Sequence, residues 1–140
     1  MKKLIIGLLA SFLMATGLVA FSGTPAMADC PYTACIGTDT EVKAGDVKRG
    51  TRAPVVVRVT ANRSGNAPIR GTLKVVVDKV NGDYRQSFRV DYTGPVERFQ
   101  TRKLPKVGRY VVIVQFVPDD DSIYKPSVGR DSFLVAARVR

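Results

Sequence analysis

The chain has 140 residues, enough for one domain of ordinary size, and a formal net charge of +10. It contains no histidine, no tryptophan and two cysteines. A Ser-His-Asp or Cys-His catalytic site is therefore excluded, as is a His-ligated zinc or haem, and two cysteines are too few for a four-cysteine metal site. We therefore expect neither an enzyme nor a bound cofactor.

Residues 1–28 have the three parts of a secretory signal peptide. A basic start at Lys2 and Lys3 precedes an almost wholly apolar stretch over 4–21, and Ala26-Met27-Ala28 is a cleavage pattern with small residues at both key positions. A retained membrane anchor is the alternative, since the apolar stretch is about long enough to span a bilayer. The closeness of the cleavage pattern favours removal, which predicts a secreted or envelope-associated protein with no other membrane span.

Residues 29–37 form a short leader that carries both cysteines, Cys30 and Cys35. In an exported protein a disulfide between them is the default, and closing so short a loop stabilises the chain by about 2 kcal/mol. A redox site is the alternative. Thioredoxin-type sites, however, place two residues between the cysteines and a helix behind them. Here four residues intervene and no helical pattern follows, so a structural disulfide is favoured.

From residue 38 to 140 apolar and polar residues alternate with a period of two, and β-branched residues dominate. Asn81-Gly82 is the strongest hairpin signal. The regular spacing predicts an all-β domain, an antiparallel β-sandwich of immunoglobulin type, with a small closed barrel as the alternative. Seven strands are predicted, at 38–43, 53–61, 71–79, 83–92, 96–103, 108–117 and 130–139.

Two short motifs resemble a bacterial immunoglobulin-like (Ig-like) domain. One runs from Leu104 to Tyr110, and the other is Tyr124-Lys125-Pro126-Ser127. The resemblance covers 38–140 and implies that Tyr110 is a tyrosine corner, whose hydroxyl bonds back to the preceding turn. The leader is similar to those of small secreted actinobacterial proteins. Such domains serve as adhesive modules, spacers and binders of carbohydrate or protein, so the resemblance implies a fold and not an activity.

The third, sixth and seventh predicted strands (C, F and G in immunoglobulin nomenclature) are neighbours in this fold, and their outward residues include an apolar group ringed by charges such as Lys74 and Arg109. An apolar patch with a polar rim is typical of an interaction site. We expect it to dock a protein partner or a second copy of the chain. Its members are Val76, Val111, Ile113, Leu134 and Ala136.

A basic face is predicted on the assumption that the second, fourth and fifth strands share a sheet. An exported protein meets anionic cell-wall polymers first, so such a polymer is the expected ligand. Nucleic acid is not expected, because aromatic residues for base stacking are not interleaved with the arginines. The residues of this predicted basic face are Arg58, Arg85, Arg89, Arg98 and Arg102.

The loop residues Asp119, Asp120 and Asp121 offer oxygen ligands of the kind that calcium prefers, but neighbouring side chains make a poor cage unless the loop folds around the ion. Calcium binding is left open. Together these observations predict a secreted, non-catalytic Ig-like binding module at the cell envelope. The alternative is a structural spacer or a subunit of an envelope assembly, with no free ligand.

Overall fold

The computed structural model describes residues 35–138, and every regular element in this range is a β-strand. The first strand begins directly after the leader. The strands are β1 (Thr38–Ala44), β2 (Val47–Lys48), β3 (Pro54–Ala61), β4 (Gly71–Lys79), β5 (Arg85–Tyr92), β6 (Glu97–Gln100), β7 (Gly108–Pro118) and β8 (Ser127–Ala136).

The strands form two sheets. One has three strands in the order β1-β3-β6, and the other has five in the order β2-β8-β7-β4-β5. All pairs are antiparallel except β2 with β8. The prediction of an all-β sandwich is therefore confirmed. The predicted signal peptide and Cys30 lie outside the described residues.

The core lies between the two sheets and is made by every second residue of the long strands. Val57 of β3, Val75 of β4 and Val112 of β7 are almost fully buried, whereas their neighbours along each strand face outward. This is the period-two geometry of a half-buried strand. The predicted bounds of the last strand are wrong: β8 begins at Ser127 instead of residue 130 and ends at Ala136 instead of residue 139. Ala137, within the predicted strand, is therefore exposed beyond its end.

The fourth predicted strand, β5, does not join the sheet that contains β3 and β6. It pairs with β4 through a tight hairpin in which Asn81 has a φ of 55° and the backbone N–H of Lys79 donates to the carbonyl of Tyr84 (3.0 Å). The connection between β4 and β5 is too short to let the chain cross from one sheet to the other. The Asn-Gly signal therefore decided the sheet membership of β5, against the assumption behind the predicted basic face.

Polar contacts and one close backbone approach join β1 to β8 along one side of the sandwich. The backbone N–H of Ala44 donates to the Asp131 carboxylate (2.8 Å), and the Thr40 and Ser127 hydroxyls are 2.6 Å apart. A Cβ added at Gly129 would collide with the carbonyl oxygen of Thr40, so the two backbones are in direct contact there. On the opposite side the rings of Phe88 (β5) and Phe99 (β6) meet edge to face at 5.6 Å.

Candidate ligand-binding surface

The outer face of the five-stranded sheet carries the predicted apolar group. Val76 of β4 lies directly opposite Ile113 of β7, and Val111 is the next outward residue of β7. Leu134 of β8 pairs with Arg109, is 49% exposed and stands diagonally beside Val111. Ala136 is exposed at the end of the same strand. The structure therefore places all these side chains on one face, with Val76, Val111 and Ile113 half-buried at its centre.

Sequence reasoning missed one apolar residue of this face. Val128 is 57% exposed and lies opposite Gln115, near the start of β8. The alternation of β8 extends back to it from Leu134 through Ser132 and Arg130. Val128 was missed because it precedes residue 130, where the strand was predicted to begin.

Cations surround the apolar centre of this face. Lys74 and Arg89 occupy directly opposite positions on β4 and β5, and Arg130 of β8 lies opposite Ile113. Like charges in directly opposite positions destabilise a sheet. We call this surface the cationic face; its charged members are Lys74, Arg85, Arg89, Arg109 and Arg130, with Asp78 and Asp91 as the acidic ones.

Most cations of the cationic face have no acidic partner within 4 Å in the part of the chain that the structure describes. Among the described residues, this face has one ion pair, in which Arg85 Nε lies 3.5 Å from Asp78 Oδ1. Lys74 and Arg89 line an open groove of about 340 Å³, and Val76 and Ser87 form the next pair of side chains along it. The groove therefore combines two cations, a hydroxyl and an apolar wall. These groups together suit an anionic group attached to a larger molecule.

The predicted basic face is wrong as a single surface. Arg58 and Arg98 lie on the outer face of the three-stranded sheet, whereas Arg85 and Arg89 lie on β5 in the other sheet. Arg102 follows β6, and its backbone N–H donates to the side-chain oxygen of Gln86 (3.0 Å). The five arginines separate because β5 stays with its hairpin partner β4.

The outer face of the three-stranded sheet has its charges locally compensated. Lys43 Nζ lies 3.0 Å from Glu41 Oε1, and Arg58 is the cross-strand partner of Glu41. The hydrogen bond from Lys43, helped by its charge and that of Arg58, lowers the pKa of the Glu41 carboxyl. This face therefore offers less uncompensated positive charge than the cationic face.

Residues Asp119 to Asp121 lie in the loop between β7 and β8. Asp119 and Asp121 line a pocket of about 390 Å³ together with Arg70 and Ser122. The arginine adds positive charge to the place where a cation would sit. Across residues 35–138, no three Asp, Glu, Cys or His side chains converge as a metal site would require. The pocket therefore gives calcium binding no support beyond the sequence.

The end of the leader is joined to this same loop. Ile36 bridges Tyr124, and its N–H donates to the carbonyl of Ile123 (2.8 Å) while its carbonyl accepts from Lys125 N–H (2.8 Å). Cys35, directly before it, is not a free thiol. The pairing of Cys35 with Cys30 stays a prediction. Within the described part of the chain there is no helix long and apolar enough to cross a membrane.

Tyr110 occupies the position that the resemblance implies. Its hydroxyl donates to the carbonyl of Lys106 (2.9 Å), its ring stacks on that of Phe133 (5.6 Å), and the side chain is fully buried. The expected hydrogen bond of a tyrosine corner is confirmed. Membership of a bacterial Ig-like family stays a prediction, since no protein-family model matches the chain and no curated protein matches it.

Solved structures similar to this chain include two enzymes. A superoxide reductase (neelaredoxin) from Ignicoccus hospitalis is similar over 69% of this chain and 80% of its own, with 16% identity and a TM-score of 0.48. A cycloisomaltooligosaccharide glucanotransferase from Paenibacillus sp. is similar over 72% of this chain and 14% of its own, with 16% identity and a TM-score of 0.49.

The superoxide reductase overturns one prediction. The absence of histidine led us to expect no enzyme, but the similar structures include that enzyme and two of its variants. The expectation is therefore corrected and not used further; at 14–17% identity and TM-scores of 0.44–0.48, these structures assign no activity to this chain.

Proposed function

We propose that the mature chain is exported and acts as a binding module for an anionic polymer of the cell envelope, through the cationic face. The observation that carries the proposal is the directly opposed pair of Lys74 and Arg89, which no acidic side chain of residues 35–138 compensates within 4 Å. Two neighbouring cations repel each other in the free protein. A bound polyanion relieves that repulsion and gains two attractive contacts.

The groove between β4 and β5 supports the same ligand class. Its two cations lie side by side next to Val76 and Ser87, so an anionic group would meet both charges while the rest of the repeating unit lies on the apolar centre. A strand face that runs across four long strands also suits an extended chain better than a compact ligand. The strongly basic composition adds long-range attraction for a polyanion: the full chain has a net charge of +10, and removal of Lys2 and Lys3 with the signal peptide lowers it by only two.

A binding assay with a matched control tests this proposal. The ligands are a purified anionic wall polymer, inorganic polyphosphate as a defined polyanion, and an uncharged glucan. The double variant Lys74→Gln/Arg89→Gln should bind both polyanions about tenfold more weakly, since each exposed charge contact contributes up to about 1 kcal/mol. The control Lys43→Gln/Arg58→Gln removes the same charge from the other sheet and should change binding less than about twofold.

Salt provides a second readout in the same assay. Exposed charges are screened over about 8 Å at physiological ionic strength, so wild-type binding should weaken steeply as salt is raised. The Lys74→Gln/Arg89→Gln variant should have a shallower dependence on salt than the control variant. Equal affinities of the two double variants, or binding that salt does not change, would overturn the proposal.

A protein partner is the second candidate, and the apolar centre favours it because Leu134 and Val128 are each about half exposed (49% and 57%). Ile113→Lys separates the two candidates. A lysine there adds a cation to the face, so it should leave polyanion binding equal or stronger. It should abolish docking of a partner on the apolar centre, because a charge would be buried in that interface without a counter-charge.

A further inference from the structure

β5 is an edge strand whose outer backbone groups have no strand partner among the described residues. It pairs with β4 and with no other strand. In an antiparallel pair, the backbone groups of every second residue bond to the partner strand. Because the N–H of Lys79 donates to the carbonyl of Tyr84, the residues of β5 that bond to β4 are 86, 88, 90 and 92. The N–H and C=O groups of residues 85, 87, 89 and 91 therefore point away from the sheet. Such an edge can template pairing with another strand.

The side chains of this edge are complementary to themselves in one antiparallel register. If β5 met β5 of a second copy with Phe88 opposite Phe88, Arg85 would face Asp91 of the other copy on both sides of the two-fold axis. The same register places Ser87 opposite Arg89. A shift of two residues in one direction brings Arg85 opposite Arg89, and in the other it brings Arg89 opposite itself. Among these three registers, only the one centred on Phe88 places no like charges directly opposite each other.

The backbone alternation agrees with that register. The pairs Arg85–Asp91 and Ser87–Arg89 are formed by residues whose N–H and C=O groups point outward, so each pair could exchange two hydrogen bonds. Phe88 would lie on the two-fold axis in a non-hydrogen-bonded pair, where side chains come closest. Phe88 is half-buried and packs on Phe99 at the open side of the sandwich, so a second copy would cover its remaining exposed surface.

We propose that two copies of this chain associate through antiparallel pairing of their β5 edges, with Phe88 at the two-fold axis, to form a continuous ten-stranded sheet. Arg85 bonds Asp78 of its own chain through Nε, which leaves its terminal nitrogens available to Asp91 of the second copy. The pairing places two cationic faces side by side. This last consequence, a doubled binding surface for a polyanion, rests on the proposed function; the pairing itself does not.

Sedimentation velocity of the mature protein at physiological salt, over a range of concentrations and without polymer, tests the pairing. The wild type should show a monomer–dimer equilibrium. Asp91→Arg and Arg85→Asp should each weaken dimerisation by about tenfold or more, because each turns two attractive cross-strand pairs into like-charge pairs. The control Asp39→Arg makes the same charge change on the exposed face of β1 and should leave dimerisation nearly unchanged.

Mixing the two variants gives the sharper result. A chain with Arg85→Asp and a chain with Asp91→Arg again offer opposite charges to each other, so the mixture should recover the dimer that each variant alone forms only weakly. Circular dichroism confirms that each variant is folded. Ser87→Pro provides a further variant, since it removes an outward N–H without touching the bonds to β4, and it should also prevent dimerisation.

A wild type that stays monomeric at high concentration would overturn the proposal, as would failure of the mixture to recover the dimer or equal effects of Asp91→Arg and Asp39→Arg. Because no polymer is present, these outcomes leave the proposed function to its own assay.

Discussion

Tyr110 joins the start of β7 to the turn before it by one hydrogen bond, and its ring contacts two other aromatic rings. Its hydroxyl donates to the Lys106 carbonyl at 2.9 Å, while its ring lies 5.6 Å from Phe133 and 5.8 Å from Tyr84. Tyr110→Phe keeps the ring contacts and removes the donor. We expect it to lower the free energy of unfolding by about 1 kcal/mol, measured by urea denaturation near neutral pH. An unchanged midpoint would mean that the corner bond contributes nothing.

The Tyr110 hydroxyl makes the free energy of unfolding depend on pH in the alkaline range. Burial raises the pKa of Tyr110 above its ordinary 10.0, and burial raises that of Tyr92 likewise. The folded protein therefore holds these protons at pH values where the unfolded chain has lost them. Their contribution is fully present below pH 10.0 and is lost as pH rises through the folded-state pKa.

We therefore expect the stability gap between the wild type and Tyr110→Phe to narrow above about pH 10, since the wild type alone loses the Tyr110 contribution. Urea titrations at neutral pH and at several alkaline values measure the gap. Tyr92 is present in both proteins, so its effect cancels in the comparison. Parallel curves for the two proteins would contradict the assignment.

Among the elements, β1 and β8 pack so closely that one position has no room for a side chain. A Cβ on Gly129 would overlap the Thr40 carbonyl, and it would also approach Val42 Cγ2 at 2.9 Å. Gly129→Ala should lower the free energy of unfolding by about 1–3 kcal/mol or more, because backbone must move to admit the methyl group. Gly94→Ala is the matched control, since nothing lies within 4 Å of its added Cβ. Thermal or urea unfolding compares them, and equal effects would show that the backbones can separate freely.

The two faces of β7 differ in burial: one belongs to the core, and the other is part of the cationic face. Val112 is fully buried, whereas Ile113 lies on the cationic face and is half-buried. Ile113→Lys should keep the fold and change the free energy of unfolding by less than about 1 kcal/mol, because the lysine stem covers the same neighbours while its ammonium reaches water. Val112→Lys should prevent folding, because it buries a charge without a partner. If Ile113→Lys also unfolds the domain, its side chain is part of the core.

The positions of most strands followed from the sequence because alternation is a local property. The bounds of β4 were predicted without error, and those of β3 and β7 within one residue. β2 was missed, since two residues carry no periodic pattern. The early start of β8 was missed because Gly129 interrupts its apolar alternation. That glycine is required by contact with β1, which no local signal reveals.

At the scale of the whole molecule, export and the leader disulfide can be tested together by mass. We expect secreted protein to begin at Asp29, because cleavage follows Ala28, and to weigh two hydrogen atoms less than the reduced chain, because Cys30 and Cys35 are joined. Intact mass spectrometry before and after reduction measures both. Secreted material that retains residues 1–28 would contradict the cleavage, and an unchanged mass on reduction would contradict the disulfide.

The sequence by itself determined which parts of the chain are strands and which side of each strand faces the core, because both depend on neighbouring residues a fixed two positions apart. Together with the strand order that an immunoglobulin-type sandwich implies, that grouped Val76, Val111, Ile113 and Leu134 on one face. Only the tertiary structure decided which strands share a sheet, since pairing joins residues far apart in the chain. It separated Arg58 from Arg85, placed Lys74 opposite Arg89, and left β5 at an edge. Those three arrangements arise from the pairing of β5 with β4, and they carry both proposals made for this protein.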